Sequence, residues 1–291
     1  MGPQREKSAG LRYPDFICIG AQKAGTTWLD RNLRRHPRLW LPPIKELQYF
    51  NQLHLPETRK WTTRHRVESG ARALKRYIER TPSDEWDNGL VARMADIANG
   101  AASDEWYGSI FGLAPAGRIC GEVTPDYSTL PEDGICHIAT LSPAVKIIFL
   151  MRDPIERSWS HIRMTMQTRG ITDLATIEQM ARNLEQIRRA DYVSIIDTWA
   201  KIIPRDRFHV AFTDDISDKP AEVLGHICSF LGVAFRERFF RQASKAIHVG
   251  AAQAMPPSVA AILMDRLHPV YAGIAERYPR QGGAWMARHF G

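Results

Sequence analysis

An apolar run, Phe16-Ile17-Cys18-Ile19, leads directly into Gly20-Ala21-Gln22-Lys23-Ala24-Gly25-Thr26-Thr27, and an amphipathic stretch follows to His36. The run has the make-up of a buried strand, the two glycines bound a turn, and the amphipathic stretch opens a helix. Such a corner aims backbone N–H groups and the positive end of a helix dipole at one anion-sized space. Lys23 places an ammonium inside the turn, and Thr26 and Thr27 put hydroxyls at its helical edge. A tight turn with a solvated lysine is the bland alternative. The combination of Gly, Lys, Gly and paired Thr favours an anion cradle.

The rest of the chain alternates short apolar runs with helical patterns, which predicts a parallel sheet covered by helices on both faces. Expected strands are 16–20, 118–122, 145–150 and 207–212, and Val145–Leu150 has the run length of a central buried strand. The interval 51–117 reads as helical insertions, with apolar spacing at Val67, Ala71, Leu74 and Ile78, then Leu90, Met94 and Ile97, then Trp106, Ile110 and Leu113. A further helix is expected at about 257–277. No repeat, low-complexity segment or flexible linker marks a second unit. The expectation is one α/β domain over 1–291: a P-loop-like three-layer α/β/α fold with a central parallel sheet and helical insertions. The ligand is expected beyond the carboxyl ends of the strands.

The 291 residues are 44% hydrophobic and 24% charged, enough for a real core, and the formal charge of +7 suits an anionic ligand, acceptor or surface. No basic recognition helix or basic–aromatic repeat accompanies that charge, which argues against nucleic acid. Cys18, Cys120, Cys136 and Cys228 are scattered and form no C-x-x-C pair, so free thiols in a reducing compartment are expected. No histidine pair has metal spacing beside a carboxylate, and no metal is expected. Residues 1–15 are polar and no run of about 18 apolar residues exists to cross a bilayer. A soluble, cytoplasmic protein is the expectation.

A second anion site is suggested at Met151-Arg152-Asp153-Pro154. Asp153 suits a helix cap and Pro154 a first turn, so Arg152 leaves the sheet at the same edge as Lys23. Ser160 follows about two helical turns later. Arg157 reads as a helix-surface ion-pair residue, and His54 and His65 as exposed polar residues, with a place in an acceptor pocket as the alternative.

These motifs resemble those of sulfotransferases that use 3′-phosphoadenosine 5′-phosphosulfate (PAPS). Gly20-x-x-Lys23-x-Gly25-Thr26-Thr27 is similar to their 5′-phosphosulfate loop, and Arg152-Asp153-Pro154-x-x-Arg157-x-x-Ser160 to their 3′-phosphate motif. Lys45-Glu46-Leu47-Gln48-Tyr49-Phe50 resembles a stretch of the bacterial and heparan-type members in which the glutamate is the general base; a Lys–Glu surface pair is the plain alternative. Gly121-Glu122-Val123-Thr124-Pro125-Asp126-Tyr127 resembles a segment on the acceptor side, with Val123 where many relatives carry lysine.

The resemblance implies PAPS as donor, PAP as product and no metal. Donor contacts would come from Lys23, Ala24, Gly25, Thr26, Thr27, Trp28, Arg152 and Ser160. Tyr192 would approach the adenine or sit in the core. Lys245, in Ser244–Gly250, would approach the 3′-phosphate. Glu122, Thr124 and Tyr127 would face an acceptor, with Lys23 and Glu46 catalytic. The acceptor would be a small molecule, sugar or lipid, its pocket drawn from 51–117, where Trp61, Trp86, Trp106 and Tyr107 read as wall or as lid-helix faces. The rival readings are a P-loop kinase or NTPase and a non-catalytic PAP(S)-binding protein. The Walker loop puts lysine after its second glycine, next to Ser or Thr, which Gly25-Thr26 does not provide.

Overall fold

The computed structural model describes residues 10–245 and 253–291. Five strands, β1 (Phe16–Gly20), β2 (Leu39–Trp40), β3 (Ile119–Val123), β4 (Lys146–Met151) and β5 (Phe208–Phe212), form one sheet in the order β2-β3-β1-β4-β5. Every pairing is parallel: Phe16 sits opposite Gly121 on one side and Lys146 on the other, and β4 runs in step with β5 from Ile147–Phe208 to Met151–Phe212. Parallel sheets bury both faces. Accordingly Phe16 to Ile19 and Ile147 to Met151 are all at 0% exposure, odd and even positions alike.

Helices make the outer layers of an α/β/α sandwich. After β1 comes α1 (Thr26–Leu33), and the β2–β3 connection carries α2 (Tyr49–His54), α3 (Arg59–Arg80), α4 (Asn88–Asn99) and α5 (Asp104–Gly112). Between β3 and β4 lies α6 (Glu132–Leu141). The β4–β5 connection holds α7 (Pro154–Arg169), α8 (Leu174–Arg182), α9 (Leu184–Arg188) and α10 (Tyr192–Ala200). Beyond β5 come α11 (Thr213–Asp218), α12 (Pro220–Leu231), α13 (Pro257–Arg277) and α14 (Pro279–Phe290). One apolar cluster runs from Phe16 through the sheet to Trp285.

The four longer strands and α13 fall where the sequence predicts, to within a residue at each end, and Val259, Leu263, Leu267 and Val270 are buried as spaced. Two features differ. The two-residue β2 was not foreseen. In α3 the expected apolar face is wrong: Val67 and Ile78 are 40% and 39% exposed, while Thr62, Arg66, Gly70 and Ala73 are buried. The reason is close approach rather than apolar bulk. A Cβ at Gly70 would lie 2.4 Å from the Cβ of Ala98 in α4, so a glycine lets the two helices touch. Arg66 spans the gap with its guanidinium 4.6 Å over the Trp106 ring and Nη2 on the Gly100 carbonyl at 2.9 Å.

The chain leaves β1 toward β2 and β3 on one side and places β4 on the other. The strand order therefore reverses at the β1–β4 crevice, where α/β sheets take their ligands. Lys23 follows β1 and Arg152 follows β4. The two sequence-predicted cations stand at neighbouring strand ends.

Candidate active site

The first corner is built as a cradle. At Gly20 a Cβ would meet the Pro125 carbonyl and the Ser128 Cβ, each at 3.0 Å, so no larger residue fits where β1 enters the turn. Lys23 adopts φ +71° and Gly25 φ +91°, left-handed conformations that turn the chain through Ala24 into α1. Gly25 is the residue before the first turn of α1, and the early N–H groups of a helix have no intrahelical acceptor. The Lys23 side chain is half-buried, and its Nζ donates to the Met164 sulfur at 3.7 Å. No carboxylate pairs with it among the described residues. Burial, reinforced by the charges of Arg152, Arg163 and Arg157, lowers its pKa.

The second corner is tied to the first. Arg152 Nη1 donates to the Lys23 carbonyl at 3.3 Å, and Nη2 pairs with Glu156 at 3.3 Å. The Thr213 hydroxyl, at the end of β5, lies 3.1 Å from both the Ala24 and Met151 carbonyls and bridges the two turns as a shared donor. Sequence reading missed Thr213, since a lone threonine after a strand carries no signal of what it will face. Asp153 caps α7, accepting from Ile155 N and Glu156 N at 3.1 Å each, with Pro154 in the first turn, both as expected. Its carboxylate also takes the Tyr271 hydroxyl at 2.5 Å and the His289 ring at 2.9 Å. Ser160 is half-buried on α7.

Arg157 is not a surface residue. Its side chain is wholly buried and donates from Nη2 to Gln186 Oε1 at 2.7 Å, because α9 packs over this face of α7 and encloses it. Burial lowers its pKa to about 10. Tyr192, at the start of α10, is also fully buried, edge-on to Phe149 with ring centroids 5.6 Å apart. Its ring is thus packed in the core against β4. Trp28 is 5% exposed, with Nε1 donating to the Ala243 carbonyl at 2.6 Å, and thereby anchors the 242–245 turn against α1. Lys245 is exposed beside Thr27 on a cleft of about 700 Å³ whose lining includes Arg31, Lys45, Arg76 and Arg80. Residues 246–250 of the expected basic loop lie outside the described residues.

Glu46 sits between Lys45 and His65: Lys45 Nζ pairs with Oε1, and His65 Nε2 lies 3.4 Å from Oε2. Burial works against its charge, but the His65 hydrogen bond and the Lys45 ammonium overcome it and hold the carboxyl at about 2. The Lys–Glu pair of the plain reading is therefore formed, and His65 completes it rather than standing in solvent. His54 also has partners, the His137 ring at 2.9 Å and Asp133 at 3.2 Å. Trp61, 46% exposed, stacks on His65 with centroids 5.1 Å apart and leaves an aromatic face beside Glu46. Glu46 and Gln48 take φ +63° and +57°; with Lys23 these are the non-glycine residues of positive φ among the described residues. Strain of this kind collects at functional sites. Here it marks both candidate catalytic residues.

The acceptor-side expectation for Glu122, Thr124 and Tyr127 does not match their placement. All three are buried, at 2%, 0% and 0% exposure. Glu122 accepts from the Tyr107 hydroxyl at 2.5 Å and the Thr124 hydroxyl at 2.6 Å, and the Tyr127 hydroxyl oxygen accepts the Tyr49 N–H at 2.9 Å. The cause is α5, whose Tyr107 closes over the end of β3. Burial raises the Glu122 carboxyl to about 6 against the hydrogen bonds of Thr124, Tyr107 and Tyr127. Tyr107 is consequently core rather than pocket wall. Among the described residues no His, Cys, Asp and Glu cluster is arranged to hold a metal, and no helix is long and apolar enough to cross a membrane.

Known proteins share this architecture. The sulfotransferase family matches residues 14–237. The chain is 29% identical over 160 residues to the membrane-associated sulfotransferase kil1 of Dictyostelium discoideum, covering 54% of this chain and 24% of that protein. It is 28% identical over 237 residues to the human heparan sulfate glucosamine 3-O-sulfotransferase 3B1, covering 78% and 48%. The chain thus spans less than two thirds of the length of these curated relatives. A sulfotransferase structure from Alicyclobacillus acidocaldarius has a TM-score of 0.64 at 20% identity, covering 94% of this chain and 99% of that one. Mouse sulfotransferase SULT7A1 complexed with PAP gives 0.50 at 11% identity, covering 95% and 89%. The solved structures share the fold, and the match across residues 14–237 carries the further conclusion: this chain belongs to the sulfotransferase family.

Proposed function

We propose that this protein, acting as one domain, transfers a sulfonate group from PAPS to a hydroxyl or amine of a small-molecule, sugar or lipid acceptor. The observation that carries the reading is Lys23. An ammonium held in a left-handed turn, without a carboxylate and beside Arg152, is costly unless an anion occupies the corner. The donor set fits a bisphosphate nucleotide: N–H groups of Ala24 to Trp28 for a 5′-phosphate, and Arg152 with Ser160 for a 3′-phosphate. A mouse sulfotransferase of the same fold is complexed with PAP, which is in keeping with a nucleotide of this class as the ligand.

In the transfer the acceptor oxygen or nitrogen bonds to sulfur as the bond from sulfur to the phosphate oxygen breaks, and the electron pair leaves on that oxygen. Lys23 stabilises the charge gathering there, and fixed positive charge of this kind supplies most of the acceleration. Glu46 takes the acceptor's proton, exchanging Lys45 or His65 for the incoming group. Trp61 and His65 offer an aromatic wall from the 51–117 insertion. The cations of the adjoining cleft favour an acceptor that carries anionic groups.

The test is a PAPS-coupled screen of sugar, lipid, amine and phenol acceptors scored by mass gain, with ATP and Mg²⁺ as the control for phosphoryl transfer. Sulfonation without metal is expected, and Lys23→Ala is expected to lower turnover by about 10²-fold or more with the fold retained. Near-normal turnover in that variant refutes the role of Lys23. Binding of PAP with no acceptor ever sulfonated favours the non-catalytic alternative.

A further inference from the structure

Arg157 is an interior cation with no carboxylate bonded to it among the described residues. Its side chain is at 0% exposure, and beyond the single bond from Nη2 to Gln186, its Nε and Nη1 are buried without a partner among the described residues. The acid that acts on it, Asp126, is already taken by Arg189 and by Gln48 Nε2 at 3.0 Å. The other charged side chains that act on it, Arg189 and Arg152, have its own sign. The hydroxyl of Tyr192, close enough to feel the guanidinium, is likewise buried, with the backbone of Arg152 as its neighbour. An ion in the interior with neither counter-ion nor full hydrogen bonding is strongly unfavourable, so its retention needs a cause.

Its place supplies one. Arg157 lies one turn into α7, its N–H bonded to the Asp153 carbonyl at 2.8 Å, directly behind the Arg152 corner. With Arg152 and Arg163 it presses on the Lys23 ammonium. Positive charge is therefore stacked in depth behind the loop, from an exposed edge to a sealed interior.

We propose that Arg157 is a donor-positioning residue, a sealed guanidinium left unbalanced by the protein and balanced by the phosphates of a nucleotide bound between Lys23 and Arg152. This rests on the donor reading above. It predicts an unusual pair of signs. Arg157→Met removes the unbalanced charge and keeps the length of the side chain, and Gln186 Oε1 keeps a donor in His161 Nδ1 at 2.7 Å. The ligand-free variant then melts at or above the wild-type temperature, while PAP binds about tenfold more weakly or worse, because a nearby charge in a low-dielectric setting is lost. The loss appears in KM for PAPS rather than in kcat. Arg157→Lys retains the charge and holds PAP affinity within about threefold of wild type.

Calorimetric titration with PAP, together with thermal melting with and without it, on wild type and both variants decides the matter. A Met variant that melts lower, or fails to fold, overturns the proposal, since a purely structural arginine behaves that way. So does unchanged PAP affinity in the Met variant, or a Lys variant as weak as Met. If wild type itself does not bind PAP, the donor reading falls instead.

Discussion

Replacing Glu122 by glutamine tests whether this carboxylate is a sealed structural group or an acceptor contact. In the folded chain burial raises it from an ordinary 4.5 to about 6. At about 1.4 kcal/mol per pH unit, the difference amounts to about 2 kcal/mol. The folded state binds this proton more tightly than the unfolded chain. The associated stability is therefore fully present below pH 4.5 and is lost as the pH rises through about 6. The substituted amide does not titrate, yet it keeps an oxygen for the Tyr107 hydroxyl, and Thr124 can turn its hydroxyl to accept the new N–H. Urea unfolding of wild type and Glu122→Gln at several values between pH 4 and 7 gives the stability difference at each. It is expected to move by about 2 kcal/mol in favour of the variant across that range. A difference that stays flat with pH, accompanied by a collapse in turnover, refutes the reasoning and returns Glu122 to the acceptor.

Further expectations concern the other corners. Glu46, held at about 2, is ionised wherever the protein is folded, so Glu46→Gln lowers kcat by about 10²-fold or more without removing any acid limb above pH 5. His65→Ala takes away the hydrogen bond that lowers it most and shifts its pKa upward, seen as an acid limb in kcat/KM that moves to higher pH. A shifted limb that still appears when Glu46→Gln is added to His65→Ala places the base elsewhere. Asp153→Ala uncaps α7 and strands the Tyr271 hydroxyl and the His289 ring, at a cost of about 3 kcal/mol in urea unfolding, with Asp153→Asn recovering part of it. Equal losses in the Ala and Asn variants contradict the capping account.

Much of this structure is legible in the sequence where local chemistry dictates geometry. The apolar runs of β1 and β4 are strands because they are buried on both faces, and Asp153-Pro154 starts a helix because cap and fixed φ agree. The pair Lys23 and Arg152 follows from two loops that leave adjacent parallel strands. What sequence conceals is set by partners distant in the chain. The two residues of β2 are too few to show a period. The buried face of α3 is chosen by Gly70 against Ala98, and spacing rules that count apolar side chains pass over it. Arg157 reads as surface because nothing near it announces that Gln186 will close over it. Glu122 and Tyr127 look like site residues until Tyr107, from the insertion, is seen to seal them.

The bond between His289 and Asp153 joins positions 136 apart in the chain. Through it the final helix holds the residue from which α7 springs, and α7 begins where Arg152 meets Lys23. A change in the last turn of α14 is thus only a few contacts removed from the corner where Arg152 meets Lys23. Substitutions in that turn are best judged by whether they disturb this corner, since solubility alone would miss the injury.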